Sequence, residues 1–360
     1  IRRALKGKPA ASVLPQILAE LFNSLTFPKN MRWEKSGFRF PRPIRWLVAL
    51  LDKKVISFSF ANLKAGNTSY GHRFLSSKSF KITSADWDLY KKLLAKAHVI
   101  LDLDERKNLI SEELKKKYKQ AHFDEELLHT TAQLVEEPFL LEGAFKKEYL
   151  ELPKEVLASC MKKNQKIFAC YGTDGKLNGK FAAVMNGARA KAGLPRIRED
   201  YEGGLESRLK DARYFYKEDT KEPFEKKIHL LEQVTYLGKL GNMRQKVERI
   251  EKLALEFADF AGHAGLQADL ARAARLSKID LMTHLVYEFP DLQGIVGREY
   301  SRESGEKKEV AEAVGSQYLP KSLSENYQDL KKDMNFLGAM LGVVDRLDHL
   351  TGAFGTGVQV

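Results

Sequence analysis

The spacing of hydrophobic residues divides the chain into a first part of mixed structure and a last part that is helical. Apolar residues alternate with Ser57 and Ser59 after a polar turn at 52–54, which predicts a hairpin between two β-prone runs. Strands are predicted at 46–51, 55–60, 139–141, 167–171 and 181–185, the last two forming a second hairpin. Helices are predicted at 9–25, 84–94 and 104–119.

From about residue 221 the apolar residues recur every three or four positions, which predicts amphipathic helices. One long helix is predicted from Ile228, Leu231, Val234, Leu237, Leu240, Met243, Val247, Ile250 and Leu253. Another is predicted over 267–288, ending before Pro290, whose ring disfavours helical geometry in the preceding residue. The runs at 310–318 and 330–350 are also predicted to be helical.

This order of elements predicts an α+β fold, because strands and helices mix without the regular βαβ rhythm of a doubly wound sheet. We expect a helical remnant of a preceding region at 1–24, an α+β domain at 25–220 and a helical domain at 221–360 that is incomplete at its C-terminal end. The sequence lacks an initiator Met, so we expect an internal fragment of a longer protein.

The charge distribution changes the picture, because the basic excess is concentrated near the start of the chain. The 360 residues carry a formal net charge of +12, and the first fifty hold ten Lys and Arg against two Glu. Such clustering favours a polyanionic partner through Coulomb attraction and counterion release. A membrane surface is the alternative, but no basic amphipathic anchor with bulky aromatic residues is evident, so we expect no membrane partner.

Motifs that would supply chemistry are missing from the sequence. It contains no G-x-x-x-x-G-K-[ST], no G-x-G-x-x-G after a strand, no C-x-x-C, no H-E-x-x-H and no G-x-S-x-G. Cys160 and Cys170 match neither a redox pair nor a zinc-ligand spacing, so we expect reduced packing cysteines in a cytoplasmic protein. We nominate no catalytic residue and no metal ligand.

A basic segment with interleaved aromatic residues is the first distinctive motif. It contains Arg32, Arg39, Arg42 and Arg45 among Trp33, Phe38, Phe40 and Trp46. Guanidinium groups bind phosphates in two-point fashion, and aromatic rings can stack on bases. The alternative is a packed strand edge whose arginines pair with an acidic neighbouring subunit or cover aromatic faces. His72 and Arg73 follow a Gly-containing loop and are further candidates for nucleic-acid contacts, although a lone His is more often structural.

Several segments, in one order along nearly the whole chain, resemble the beta subunit of bacterial tetrameric glycyl-tRNA synthetase. They are Met31-Arg32-Trp33, Pro41-Arg42-Pro43-Ile44-Arg45-Trp46, Gly71-His72-Arg73-Phe74, Gln165-Lys166-Ile167-Phe168, the stretch 205–219, Glu288 to Gly297, and Val344 to Phe354. Each segment is weakly specific by itself, and their common order makes the resemblance specific. The family chain is longer at both ends, and the residues after Phe354 depart from its pattern.

The resemblance implies the fold of each part and the division of work between subunits. The first part would be similar to the B3/B4 module of phenylalanyl-tRNA synthetase beta subunits, and the helical part would be HD-like. In the family, glycine is activated with ATP and Mg at the alpha subunit, and beta contributes tRNA binding to an α2β2 assembly. We therefore expect no cofactor in this chain, with tRNA(Gly) and the alpha subunit as partners.

The HD-like part departs from the metal-binding pattern of HD phosphohydrolases. Asp280 and Asp345 can occupy the two Asp places, but Ile279 stands where a ligating His is required. We expect both carboxylates to cap helices or to pair with Lys278, Arg346 or other bases. Candidate phosphate contacts along the long helix are Lys239, Arg244, Lys246 and Arg249. The alternative is a solvated basic face paired with Glu248 and Glu251.

Three functions remain open on the sequence. The first is the ligase subunit, which binds and positions tRNA(Gly) for ATP-dependent aminoacylation on another chain. The second is an HD-type metal-dependent nucleotide phosphohydrolase, which the missing His disfavours. The third is a tRNA editing or RNA-binding module, for which no editing residue can be nominated.

Overall fold

The computed structural model describes residues 7–76, 78–118, 123–172, 174–187, 193–238, 240–322 and 327–357. These residues form two compact units, each of which contains two stretches of the chain. The first unit comprises residues up to Leu141 and Ala183–Pro195, and the second comprises Glu142–Ala182 and the residues from Arg196 onward. The domain boundaries expected at residues 24 and 220 stay a prediction.

Short antiparallel hairpins make up most of the β-structure in the first unit. The strands are β1 Met31–Arg32, β2 Arg39–Phe40, β3 Leu50–Leu51, β4 Lys54–Val55, β5 Ser59–Phe60, β6 Leu63–Lys64, β7 Thr68–Tyr70 and β8 Ser79–Lys81, and they pair two by two in this order. The β3–β4 turn contains Asp52 at a φ of 53°, a conformation that Asp tolerates better than most residues. The predicted hairpin at this turn is confirmed.

Aromatic and aliphatic side chains from these hairpins form one core cluster. Leu47, Phe58, Phe60 and Ala65 are buried in it. Helix α1, Ala10–Ser24, has no fully buried residue but packs Phe22 against Phe60, with ring centroids 4.7 Å apart. The predicted helix at 9–25 is thus confirmed, and it covers the hairpins of the first unit.

The remaining helices of the first unit begin at aspartates that cap them. They are α2 Trp87–Lys96, α3 Leu103–Lys117 and α4 Glu125–Leu134. The side chains of Asp86, Asp102 and Asp124 accept hydrogen bonds from backbone N–H groups in the first turn of each helix. Such caps satisfy donors that have no partner within the helix, so polar residues between apolar runs fix where these helices start.

The strands β9 Pro138–Ala144, β10 Ile167–Tyr171 and β11 Leu177–Asn186 form a sheet with β11 in the centre. This confirms the predicted strand at 139–141 and the predicted hairpin at 167–185. Before β10, helix α5 Lys154–Cys160 continues into a single π-helical turn, Met161–Gln165, which ends at Lys166 in the left-handed conformation. Both cysteines are reduced and buried.

Helices build the rest of the second unit, which confirms a helical C-terminal part. They are α6 Leu194–Asp219, α7 Met243–Phe260, α8 Gln267–Leu276, α9 His284–Glu288, α10 Ile295–Glu303, α11 Lys308–Ser316, α12 Tyr327–Asp333 and α13 Phe336–Thr356. The core lies where α7 packs on α8 and α13 and where α11 packs on α10 and α13. Among the described residues, no helix combines the length and the hydropathy needed to cross a bilayer.

The single long helix predicted over 228–253 is wrong. A 3₁₀ helix occupies Phe224–Gln233, and α7 starts only at Met243, behind the capping residue Asn242. Between them the backbone turns with positive φ at Gly238 and Gly241, a conformation that glycine adopts without strain and that no α-helix contains. The apolar spacing continues across this turn, so periodicity alone could not reveal the break.

The helix predicted over 267–288 is also interrupted. After α8 the chain forms a 3₁₀ turn, Ile279–Met282, and α9 begins anew behind Thr283. The Thr283 hydroxyl accepts a hydrogen bond from the Val286 N–H at 3.2 Å. Thr at this position favours a cap over a helix interior, because its side chain competes for backbone donors.

The contact between Gly143 and Phe181 allows a test of packing in the second unit. A Cβ atom added at Gly143 would overlap the fully buried Phe181 ring, so we expect Gly143→Ala to destabilise the protein by about 1–3 kcal/mol through overpacking. Gly203→Ala is the control, because its Cβ meets nothing within 4 Å. In helix α6 it should stabilise by about 0.5–1 kcal/mol. Urea unfolding measures both, and equal effects would contradict the packing.

Candidate functional site

The β1–β2 hairpin has two chemically different faces. Arg32 and Arg39 are directly opposite each other in the strand register, and both are exposed. Because successive side chains of a strand point to opposite faces, the adjoining Trp33 and Phe38 point to the other side. Phe38 packs edge-on against the buried Phe60, with ring centroids 4.3 Å apart. The alternation in the sequence therefore directs aromatics inward and arginines outward.

Most aromatic residues of the basic segment pack against one another and are not free to stack on a ligand. Trp33 and Phe38 each contact Phe40, with centroids 6.5 and 6.4 Å apart. Trp46 differs, because it is 40% exposed and lies 4.7 Å from the ring of Tyr70, which is 43% exposed. The segment thus presents one open aromatic pair, while its other rings form the core.

The arginines of this segment carry unneutralised charge. Arg32, Arg39, Arg42 and Arg45 are exposed, and none makes an ion pair, hydrogen bond or cation–π contact with any residue that the structure describes. The sequence from 21 to 51 contains one acidic residue, Glu34. Its carboxylate accepts hydrogen bonds from Ser36 N at 2.7 Å and Asn62 Nδ2 at 2.8 Å. Hydrogen bonds from the Ser36 hydroxyl, the Ser36 backbone N–H and the Asn62 side chain lower the pKa of Glu34.

His72 and Arg73 have different environments although they are neighbours. His72 is 1% exposed, and its Nδ1 accepts from the backbone N–H groups of Phe74 and Leu75. Its Nε2 lies 3.7 Å from Glu136 Oε2. Arg73 is exposed, with its guanidinium 5.7 Å from the Phe74 ring centroid. The geometry favours a structural role for His72 and leaves Arg73 accessible.

The basic residues assigned to the long helix do not form a common surface. Lys239 lies outside the described residues. Arg244 donates to Glu248 at 3.0 Å, one turn along α7, as the paired-face alternative predicts. Arg249 instead donates to both oxygens of Asp348 on α13, at 2.7 and 3.2 Å. The expected pairing through Glu248 and Glu251 therefore holds for Arg244 alone among these residues.

Lys246 is the clearest departure from the expected basic face, because it is 4% exposed. Its Nζ lies 2.8 Å from Asp345 Oδ1 and 3.1 Å from Asp348 Oδ2. Burial would lower the pKa of Lys246, but the two carboxylates outweigh burial and raise it. A lysine enclosed in this way is not available to a phosphate at the surface. The apolar periodicity placed it beside the core, and its carboxylate partners come from another helix.

Lys278 extends this buried network on the other side of Asp345. Its Nζ contacts Asp345 Oδ2 and Gln317 Oε1, both at 2.9 Å, and lies 4.3 Å from the Tyr318 ring centroid. Burial alone would raise the pKa of Asp345, but the charges of Lys278 and Lys246 outweigh burial and lower it. The expected pairing of Asp345 with Lys278 is confirmed. Arg346 donates to backbone carbonyls, including those of Gln317 and Gly342, at 3.1 Å.

Asp280 lies at the N-terminus of α10, as a capping carboxylate would. Its Oδ2 accepts from Gly294 N at 2.5 Å, while its Oδ1 has no hydrogen-bond partner among the described residues. Full burial raises the pKa of Asp280 to about 6, against the opposing effects of the Gly294 hydrogen bond and Lys278. Asp280 and Asp345 are thus both engaged by groups of this chain.

The groups around Asp280 and Asp345 are not arranged like the ligands of a metal ion. Among the described residues no group of three or more His, Cys, Asp and Glu is placed to hold an ion. Asp280 and Asp345, the two positions expected to be vestigial, are held by a backbone N–H and by a lysine, in line with the expected capping and pairing. Sequence reasoning missed Asp348, which is three residues after Asp345. This i, i+3 pair places two carboxylates on one helix face and is the signal that could have found it.

The comparisons with known proteins place this sequence in a family of aminoacyl-tRNA synthetase subunits. A family model described as glycyl-tRNA synthetase beta subunit matches residues 1–360. The chain therefore belongs to the glycyl-tRNA synthetase beta subunit family.

Curated relatives agree over almost the entire chain. The glycine–tRNA ligase beta subunit of Desulforamulus reducens is 39% identical over 359 residues, which cover 98% of this chain and 50% of that protein. The subunit of the same name from Bacillus subtilis is 37% identical over 369 residues, covering 99% of this chain and 52% of that protein. The chain thus spans about half the length of the curated relatives it matches.

The buried network predicts a large effect of removing one of its cations. We expect Lys278→Met to destabilise the second unit by about 1–3 kcal/mol, because the buried Gln317 Oε1 would lose its donor and Asp345 would keep only Lys246 as a partner. Lys221→Met is the matched control, since Lys221 pairs with Glu218 at the surface and should change stability by at most about 0.5 kcal/mol. Chemical unfolding measures both variants. Equal stability of Lys278→Met and wild type would show that the buried network does not stabilise the fold through Lys278.

The raised pKa of Asp280 predicts a stability that falls with rising pH. The folded protein retains the proton up to about pH 6, so this contribution is present below the ordinary pKa of Asp and lost as pH passes 6. Relative to wild type, Asp280→Asn should gain about 3 kcal/mol between pH 4 and 8. Unfolding at several pH values tests this, with Lys221→Met as a control that does not titrate there. A pH-independent difference would disprove it.

Proposed function

We propose that this chain is the part of a bacterial glycine–tRNA ligase beta subunit that binds and positions tRNA(Gly) during aminoacylation. Membership of the family is the observation that carries the proposal, and the names of the relatives agree with it. The exposed, unpaired arginines of the first unit supply the physical basis for binding a polyanion.

The tRNA contacts are assigned to basic residues whose charge is not already neutralised. Of the candidates, the structure favours Arg32, Arg39, Arg42, Arg45 and Arg73, which are all exposed. Lys246 and Arg249 share Asp348, and His72 is buried, so their geometry argues against direct phosphate contact. A folded RNA would be read through phosphates and 2′-hydroxyl groups along its backbone.

We assign the chemical steps of glycine activation and transfer to the alpha subunit, in an α2β2 assembly in the cytoplasm. ATP and Mg would be used there to form the glycyl adenylate, and this chain would hold the tRNA in place. Positioning contributes by converting a bimolecular encounter into reaction between bound groups. The beta chain therefore affects the rate through tRNA affinity and orientation.

We further propose that the α+β part is B3/B4-like and that the helical part is an HD-like scaffold whose carboxylates stabilise the fold. The lysine contacts of Asp345 support this role for the scaffold. They also disfavour the metal-dependent phosphohydrolase, because that chemistry needs this carboxylate for an ion. An editing activity has no nominated residue and is not part of the proposal.

The proposal predicts that the full-length beta subunit retains tRNA(Gly) in a salt-dependent manner and is required for charging. Co-purification with the alpha subunit, filter binding from 50 to 300 mM salt and glycine charging with and without beta test it. The logarithm of the association constant should fall linearly with the logarithm of salt concentration, because bound phosphates release counterions. Failure of both tRNA retention and alpha-subunit binding would refute it.

A further inference from the structure

Arg32 and Arg39 form a cross-strand pair of like charges, which requires an explanation. Residues directly opposite in an antiparallel pair have Cβ atoms about 5 Å apart, and like charges at such positions destabilise the hairpin. The register pairs Arg32 with Arg39 and Met31 with Phe40. Both arginines are exposed and have no acidic partner within the described part of the chain.

The backbone positions of the two arginines cannot move apart without disrupting the core beneath them. Slipping the strands by one residue would turn the aromatic face outward, and Phe38 and Phe40 are held there by contacts with Phe60 and Phe27, at 4.3 and 4.9 Å. The pair is therefore built into the hairpin by its buried face. Both arginines therefore lie on the same exposed face of the hairpin.

The nearest acidic residue in the sequence does not neutralise the pair. Glu34 lies in the hairpin loop, but its carboxylate is bound by Ser36 and Asn62. Asn62 belongs to the β5–β6 turn, so this contact ties the two hairpins together and directs the carboxylate to Asn62. No carboxylate of the described residues pairs with either arginine, so an anion from outside the chain is a source of compensating charge that fits.

We infer that Arg32 and Arg39 together clamp one phosphate group of an RNA backbone, a contact that rests on the proposed tRNA-binding function. Two guanidinium forks carried on Cβ atoms about 5 Å apart can both reach the oxygens of a single phosphate, which would bridge them and remove their repulsion. A nucleic acid fits better than an acidic protein surface, because Lys29, Lys35 and Arg42 flank the pair and favour a repeating anion.

The test is a double-variant cycle in the full-length beta subunit, with tRNA(Gly) transcript as the probe and binding measured across a salt series. Arg32→Ala and Arg39→Ala should each weaken binding about tenfold, and the double variant little further, because both remove the same contact. The salt slope should fall by about one in every case, as for one lost phosphate. The charge-conserving double variant Arg32→Lys with Arg39→Lys should also bind tRNA more weakly than wild type, since ammonium groups lack the fork.

The matched control removes two charges from a neighbouring hairpin. Lys53→Gln with Lys54→Gln has the same change in net charge in exposed residues of the same unit, and should change affinity by less than about threefold. The melting temperature of the double arginine variant should stay equal to wild type or rise, because repulsion is relieved. This readout separates loss of the clamp from loss of the fold.

Each other outcome has a definite meaning. Additive losses of affinity with a change in salt slope near two would show that the arginines bind separate phosphates and would overturn the clamp. The clamp would also be overturned if Lys53→Gln with Lys54→Gln weakened tRNA binding as much as the double arginine-to-alanine variant. Loss of alpha-subunit binding with unchanged tRNA affinity would show that the arginines face protein. If wild type binds no tRNA at all while the alpha subunit still binds, the proposed tRNA contact itself fails, which is a result distinct from a failed clamp in a binding protein.

Discussion

A buried chain of alternating charges connects helices of the second unit and constrains how they pack. Asp348, Lys246, Asp345 and Lys278 follow one another at separations of 2.8 to 3.1 Å, with Arg249 closing one end. The members come from α7, α13 and the turn after α8, so these elements pack where each charge meets its partner. Removing one member would leave its partners with fewer compensating charges or hydrogen bonds in a low-dielectric interior, so we expect the network to stabilise the observed packing.

Ion pairs elsewhere in the protein also decide which basic residues are available to a partner. In the second unit, acidic neighbours occupy many guanidinium groups: Arg213 meets Glu148 and Glu151, and Arg298 meets Glu155 and Glu299. In the first unit, the arginines of the β1–β2 hairpin and its continuation have no such neighbours among the described residues. The net charge of +12 is thus unevenly distributed, and exposed arginines without acidic partners lie on the aromatic-backed hairpin.

Sequence reasoning succeeded where the determining interactions are local. The turn at Asp52, the strand after Pro138 and the hairpin of β10 and β11 follow from alternation and turn residues within about ten positions. It failed at Gly238 and Gly241, where the apolar spacing of helices continues through a turn, and at Thr283, where a cap starts a new helix. In these cases two local signals conflicted, and only packing determined which prevailed.

The sequence by itself determined the α+β character, the helical end of the chain, the basic segment and the family resemblance, because each is written in composition, periodicity or ordered motifs. Only the tertiary structure decided that Lys246 is enclosed and that Arg32 and Arg39 oppose each other in the open. Lys246 meets Asp348 across 102 positions of sequence. Whether a charged side chain is free depends on the partners that folding brings near it. Neither the spacing of residues nor composition specifies the distance between such partners in the folded protein.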